Sequence, residues 1–291
     1  MSSPRPYLVG LVGTGVTPSL TPPLHMSEAA ALGIPYIYRP IDLTVQDLSP
    51  ADLPEILTWT ERLGYDALNI THPCKRAVLE YLDLVDPLAA ALGAVNTVVF
   101  TKDGRVGYNT DTTGFEQALA TGLPDASLDD VVLLGAGGAG SAVADALLRR
   151  GARRLTVVDI DRARGDELAG ELADRHAATI AADAPDALPD LLQSANGVVH
   201  CTPTGMHDHP GTPFAVELLH PDLWVADIVY RPLETELLRS ARAVGCATLD
   251  GGRMAVLQAV HAFELITGVR PDADRMSAHF QKLVAADEVL V

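Results

Sequence analysis

Val131-Val132-Leu133-Leu134 runs directly into Gly135-Ala136-Gly137-Gly138-Ala139-Gly140, and that junction restricts the folds open to this chain more than any other feature. An unbroken apolar run reads as a strand buried on both faces. The glycines permit a turn too tight for side chains, and Ser141–Arg150 reads as a helix stopped by Gly151. Asp159 follows the next strand, Leu155–Val158, 24 residues beyond Gly135. A strand, G-x-G-x-x-G, a helix and a later acid form the dinucleotide fingerprint. Glycine lets the backbone approach a pyrophosphate, whose charge then meets the helix N–H groups. Gly135, Gly137, Gly138 and Ala139 are the expected contacts, and Asp159 would accept both ribose hydroxyls. An NADP 2′-phosphate would meet that carboxylate, and two like charges about 4 Å apart repel by roughly 1 to 4 kcal/mol. NAD is the expected cofactor. Arg164 either flanks the adenine or is an ordinary surface arginine. The structural alternative for the glycines is a tight packed turn.

Around this unit, apolar β-rich runs alternate with helical patterns, which favours α/β layers with parallel strands. Tyr7–Val12, Pro35–Ile41, Ala67–Ile70 and Val95–Phe100 read as strands, and Asp103-Gly104 as the hairpin turn before Arg105–Tyr108. Helices are expected at Pro22–Leu32, Leu53–Leu63 and Cys74–Leu82. Gly197–Cys201 and Trp224–Ile228 extend the nucleotide-binding sheet. Met254–Ile266 and Ala273–Ala285 read as closing helices that return to the first domain. The expected organisation is an N-terminal α/β domain of residues 1–112 with 252–291 and a Rossmann-type doubly wound domain of residues 113–251. The active site is expected in the cleft between them.

With 291 residues the chain is long enough for two cores. A formal charge of −17 argues against nucleic acid as a partner. No apolar run approaches the roughly 18 residues of a membrane span, and Met1–Pro6 lacks signal-peptide features, so a cytoplasmic location is expected. Cys74, Cys201 and Cys246 show no C-x-x-C spacing, which speaks against disulfides and zinc. His207-Asp208-His209 lacks a third ligand nearby, and no metal is expected. The sequence leaves the oligomeric state open, a homodimer being one option.

Three polar clusters stand at the ends of apolar runs: Asn69-Ile70-Thr71-His72-Pro73-Cys74-Lys75, Gly93-Ala94-Val95-Asn96-Thr97 and Asn109-Thr110-Asp111. The chain has only three lysines against eighteen arginines, and one of the three is Lys75. An amine, a carboxylate and amides together are suited to moving a proton on a hydroxyl or carbonyl. The plain alternative is a polar strand-to-helix turn with a solvated lysine.

These motifs resemble those of the shikimate dehydrogenase family, most closely its quinate/shikimate branch, from about Gly10 to Met276. The family's S-x-S/T-P pattern falls on Ser19 to Pro22, and N-[VI]-T-x-P-x-K on Asn69 to Lys75. A-V-N-T falls on Ala94 to Thr97, N-T-D on Asn109 to Asp111, and D-[IV]-V-Y on Asp227 to Tyr230. The closing glutamine falls on Gln258. The resemblance implies a cyclohexane carboxylate substrate whose carboxylate meets Ser19 and Thr21. Asn69 joins the substrate-binding set, with Thr71, Asn96 and Gln258 holding ring hydroxyls and Tyr230 nearby. Lys75 and Asp111 would be the catalytic pair, and Thr202, Met206 and Val229 the nicotinamide wall. Three positions depart from the biosynthetic members. Thr21 replaces a second serine, Asp159 stands where an Asn-Arg-Thr loop begins, and Arg253 replaces a frequent glycine. The first two point to the NAD-using branch.

The implied reaction is reversible oxidation of a ring alcohol of quinate or shikimate to the 3-dehydro ketone. A carboxylate beside Lys75 favours charged lysine whereas a base must be neutral, so oxidation is expected to favour alkaline pH. The rivals are a strict shikimate dehydrogenase of aromatic biosynthesis, an aminoshikimate-type paralogue and a non-catalytic NAD-binding regulator. Methylenetetrahydrofolate dehydrogenases share the architecture but lack the Ser19/Thr21 pair. A regulator would need neither Lys75 nor Asp111.

Overall fold

The computed structural model describes residues 5–288, which divide into two compact units. Unit 1 runs to Thr110 and resumes over Gln258–Ala286; unit 2 covers Asp111–Leu257 and takes up again at Asp287.

Unit 1 contains β1 (Tyr7–Gly13), α1 (Thr21–Ala31), β2 (Tyr36–Asp42), α2 (Leu53–Arg62), β3 (Ala67–Ile70), β4 (Leu84–Val85), α3 (Pro87–Leu92), β5 (Thr97–Thr101) and β6 (Gly104–Tyr108). Its sheet has the order β2-β1-β3-β5-β6-β4. Strand β1 pairs in parallel with β2 and β3, but β5 runs antiparallel to both β3 and β6. The sheet is therefore mixed rather than wholly parallel, because the short turn before Gly104 (φ 110°) can only join antiparallel strands. Both faces are covered. Val9, Leu11 and Ala67 pack on one side, while Val12, Leu68 and Ile70 pack on the other. The period-2 alternation of strands produces this division.

The expected helix over Cys74–Leu82 is instead a short 3₁₀ turn, Ala77–Tyr81. An α-helix would send the Leu79 amide to the Lys75 carbonyl. That carbonyl accepts from Val95 at 2.9 Å, and the Leu79 amide closes onto Arg76 at 3.2 Å. A tertiary hydrogen bond has displaced a local one.

Unit 2 begins within α4 (Thr110–Gly122) and continues through β7 (Asp130–Leu134), α5 (Gly138–Arg149), β8 (Arg154–Val158), α6 (Arg162–Ala173), β9 (Thr179–Asp183), α7 (Leu188–Ser194), β10 (Gly197–His200), β11 (Trp224–Asp227), α8 (Glu236–Val244) and β12 (Thr248–Leu249). Helix α9 (Gly251–Thr267) carries the chain back to unit 1, and α10 (Ala273–Glu288) follows. All six strands of this sheet are parallel, in the order β9-β8-β7-β10-β11-β12. That order is doubly wound, with the direction of travel reversing between β7 and β10. Val131 and Leu133 join one core and Val132 and Leu134 the other, as an apolar run buried on both faces requires. No helix among the described residues is long and apolar enough to cross a membrane.

Candidate active site

In unit 1, the start of α1 carries Ser19 and Thr21. A helix N-terminus favours anions through its unsatisfied N–H groups. Here Pro22 and Pro23 have none, the Thr21 amide donates to Ser19 Oγ at 3.3 Å, and the Leu24 amide goes to the Leu20 carbonyl. The amides of the first turn are absent or committed, so hydroxyls must supply directed contacts. The preceding loop is held by Asp42, which accepts from the amides of Gly15, Thr17 and Thr44 and from the Thr17 hydroxyl at 2.8 to 3.1 Å. Burial opposes the Asp42 charge, but the Thr17 hydroxyl and these amides outweigh it and hold the carboxyl below its ordinary range.

A continuous polar network lies nearby in chain order and joins three motifs. Tyr38 Oη donates to Asn69 Oδ1 at 2.5 Å, and Asn69 Nδ2 donates to Thr97 Oγ1 at 2.9 Å. Thr97 Oγ1 donates to Asn96 Oδ1 at 3.0 Å, and Asn96 exchanges bonds with the Thr110 amide and hydroxyl at 2.9 Å each. Thr110 Oγ1 lies 3.5 Å from Gln258 Oε1. Thr71 follows β3, its amide bonded to Val12 at 2.9 Å. Asn69 is buried with both ends of its amide engaged by protein, which suits it to orienting Asn96 through Thr97.

In unit 2, Gly135 has φ 99°, and its amide donates to Val158 at 2.8 Å. A Cβ on Gly140 would sit 1.9 Å from the Gly135 carbonyl oxygen, so only glycine fits there. One on Gly137 would meet nothing within 4 Å, which leaves the outer face of the loop open. The loop and the first turn of α5 thus present backbone to a space that side chains do not fill, as a pyrophosphate cradle needs. Asp159 is buried. Its Oδ2 accepts the Ala136 amide at 2.7 Å and its Oδ1 the Asp161 amide at 2.8 Å. Ile160 beside it is 93% exposed. Asp161 caps α6, and the Arg164 guanidinium lies 3.5 Å from it, both side chains about half exposed.

Residues 11–98 match the family model for the shikimate dehydrogenase substrate binding domain, and residues 131–208 the saccharopine dehydrogenase NADP binding domain. A shikimate dehydrogenase (NADP(+)) of Pseudarthrobacter chlorophenolicus is 57% identical over 288 residues, with 97% of each chain covered. The chain belongs to the shikimate dehydrogenase family. A quinate/shikimate dehydrogenase (NAD(+)) of Corynebacterium glutamicum, another member, is 48% identical over 279 residues, covering 95% of this chain and 98% of its own. The crystal structure of a quinate dehydrogenase from Corynebacterium glutamicum in complex with NAD superposes with a TM-score of 0.91 at 46% identity, covering 95% and 99%.

Of the residues matched to the family's motifs, Ser19, Thr21, Asn69, Thr71, Lys75, Asn96 and Gln258 fall in unit 1. Asp111, buried in the first turn of α4, and Tyr230, whose phenol is pushed up by burial, fall in unit 2. Thr202 and Met206 follow β10, and Val229 follows β11. Met206 is 38% exposed and Val229 is buried. Arg253 donates to the Thr121 hydroxyl at 3.3 Å on the surface of unit 2. The sequence assigns no role to Tyr38, Asp42 or His200, and names Thr97 only as the end of the A-V-N-T match. The first two are the buried polar positions of β2, whose partners lie elsewhere in the sequence. His200 ends β10 as Asp227 ends the adjacent β11, a relation that only the strand pairing shows.

Proposed function

We propose that this chain is an NAD-dependent dehydrogenase that reversibly oxidises quinate and shikimate to their 3-dehydro ketones. The turn after β8 carries the cofactor half of this reading. Asp159-Ile160-Asp161 offers two carboxylates and an exposed isoleucine, and the two arginines that follow are both paired with acids, Arg162 with Asp166 and Asp183 and Arg164 with Asp161. A ribose 2′-hydroxyl suits such a turn and a 2′-phosphate does not. Thr21 at the start of α1 supports the substrate half. It keeps a hydroxyl for the carboxylate and adds a methyl that reshapes that end of the pocket.

A bound nicotinamide supplies the hydride acceptor. The chain's own residues bind and orient the substrate and move its proton. Ser19 and Thr21 hold the carboxylate, and Thr71, Asn96 and Gln258 the ring hydroxyls. Lys75, with Asp111, takes the proton of the reacting hydroxyl as the C–H bond gives up its hydride, and returns it in reduction. The relatives named shikimate dehydrogenase (NADP(+)) favour a second reading, a strict NADP-dependent shikimate dehydrogenase. Absorbance at the reduced nicotinamide band, with quinate and shikimate each tested against NAD and NADP, separates the two. Turnover of both acids with NAD supports the first. Activity confined to shikimate and NADP establishes the second.

A further inference from the structure

Beneath the turns that follow β10 and β11 in unit 2 lies a closed polar relay. His200 and Asp227 are register partners at the ends of these strands, and their side chains are fully buried. His200 Nδ1 lies 3.0 Å from Asp227 Oδ1, and His200 Nε2 lies 2.5 Å from Thr202 Oγ1. Asp227 also accepts the Val229 amide at 3.0 Å and the Thr235 hydroxyl at 2.8 Å. Thr235 in turn caps α8 by accepting the Leu238 amide.

A neutral imidazole satisfies every member. An ionised carboxylate only accepts, so in that arrangement Nδ1–H donates to Asp227 and Nε2 accepts a hydrogen bond from the Thr202 hydroxyl. The Thr202 oxygen is then closed in by Thr204, whose amide and hydroxyl both lie 3.3 Å away. The same residue types serve as nucleophilic triads elsewhere. Here the imidazole is sealed from solvent and the hydroxyl faces inward, so the arrangement holds a turn. With its hydroxyl committed, Thr202 points its methyl at the glycine loop. A Cβ built on Gly135 would lie 3.0 Å from Thr202 Cγ2 and 3.0 Å from the Cys201 carbonyl oxygen.

We propose that His200 is a positioning residue for the cofactor. Through Thr202 on one side and Asp227 on the other it locks together the two turns that carry Thr202, Met206 and Val229. It also presents a methyl, rather than a hydroxyl, to the first glycine of the loop. The proposal rests on the reading of unit 2 as the dinucleotide-binding unit.

The test compares Thr202→Val, Thr202→Ser and His200→Asn in the full chain. The readouts are NADH affinity by fluorescence and the KM values for NAD and for the acid substrate, each measured separately. Thr202→Val keeps the shape but loses the bond to His200, so NADH affinity should weaken and the KM for NAD should rise by about tenfold. The acid's KM should stay within about twofold. Thr202→Ser restores the bond and should recover most of the loss. His200→Asn keeps a donor for Asp227 but cannot reach Thr202, so it should match Thr202→Val, and the double variant should be no worse than either single one. A folded Thr202→Val protein with wild-type NADH affinity overturns the proposal, as does a Thr202→Ser protein equally impaired. Should His200→Asn not fold, the Thr202 pair decides alone. A wild-type protein that binds neither NADH nor NADPH sinks the dinucleotide reading itself, whereas wild-type binding with indifferent variants sinks only the relay.

Discussion

The Lys75 carbonyl accepts the Val95 amide at 2.9 Å, which ties the lysine-bearing turn to the Ala94–Thr97 segment. The bond is made by backbone alone and survives any change of the lysine side chain. Lys75→Ala should therefore fold as the wild type does while losing turnover. Proton transfer by a placed group contributes about 10²- to 10⁴-fold, so kcat should fall within that range with NADH affinity unchanged. A purified variant keeping more than about a tenth of wild-type kcat refutes the role given to Lys75.

Asp159 has two duties that one substitution separates. Its carboxylate bridges the Ala136 and Asp161 amides, and in the proposed complex it also accepts ribose hydroxyls. Asp159→Ala leaves two amides without their acceptor and should lower stability by about 1 to 3 kcal/mol. It should also weaken NAD use, with little gain for NADP because no arginine replaces the lost charge. Denaturant midpoints and steady-state kinetics with both cofactors check the two parts. Comparable wild-type efficiency with NAD and NADP removes the basis for the NAD assignment.

Thr21 should set the balance between quinate and shikimate. Quinate has a saturated ring and an extra hydroxyl on the carbon bearing the carboxylate, so its carboxylate leaves at a different angle. A hydrogen bond to a charged group contributes about 1.5 to 3 kcal/mol, enough for a small change of angle to reorder two similar acids. Thr21→Ser should shift kcat/KM toward shikimate, and Thr21→Val should lower it for both. An unchanged ratio in Thr21→Ser is the adverse result.

His25 gives unit 1 an acid-sensitive spot. It is fully buried among Tyr36, Tyr38 and Phe263. Burial lowers it from 6.5 to about 3. Nε2 has no hydrogen-bond partner among the described residues. Below the unfolded value of 6.5 the unfolded chain takes up a proton that the folded chain refuses. His25 therefore takes away more stability with each step as pH falls from 6.5 toward 3. Above 6.5 the penalty disappears. His25→Phe should flatten the curve between pH 6.5 and 4 in denaturant titrations, and parallel wild-type and variant curves contradict the assignment.

The nucleotide-binding core of unit 2 is legible because its constraints are local, whereas α4, α6, β9, α7, α8 and β12 are not. The run Val131–Leu134, the glycines and Asp159 lie within one strand–helix–strand unit, and close packing at Gly140 is a demand that only glycine meets. Unit 1 was legible at its motifs but less so between them. The turn after Lys75 has a helical pattern but is not an α-helix, because Val95, twenty residues on, takes the carbonyl that a helix would use. The short elements β4 and α3 went unread, since two-residue strands and single-turn helices carry too little periodicity. Tyr38 and Asp42 act through Asn69 and the Gly15–Thr17 loop, and their positions in β2 do not announce those partners. The relay under β10 and β11 required the strand order, since His200 and Asp227 become neighbours only once those strands pair.

In the proposed complex, the prolines at the start of α1 would make acid recognition an interchangeable part. Main-chain amides would bind any carboxylate alike, whatever residue carried them, and exchanging one side chain would alter little. With Pro22 and Pro23 in place of amide donors, the proposed contact would rest on the side chains of Ser19 and Thr21. A lineage meeting a new ring acid can retune that end by a single codon change, leaving the helix, its loop and the Asp42 clasp as they stand.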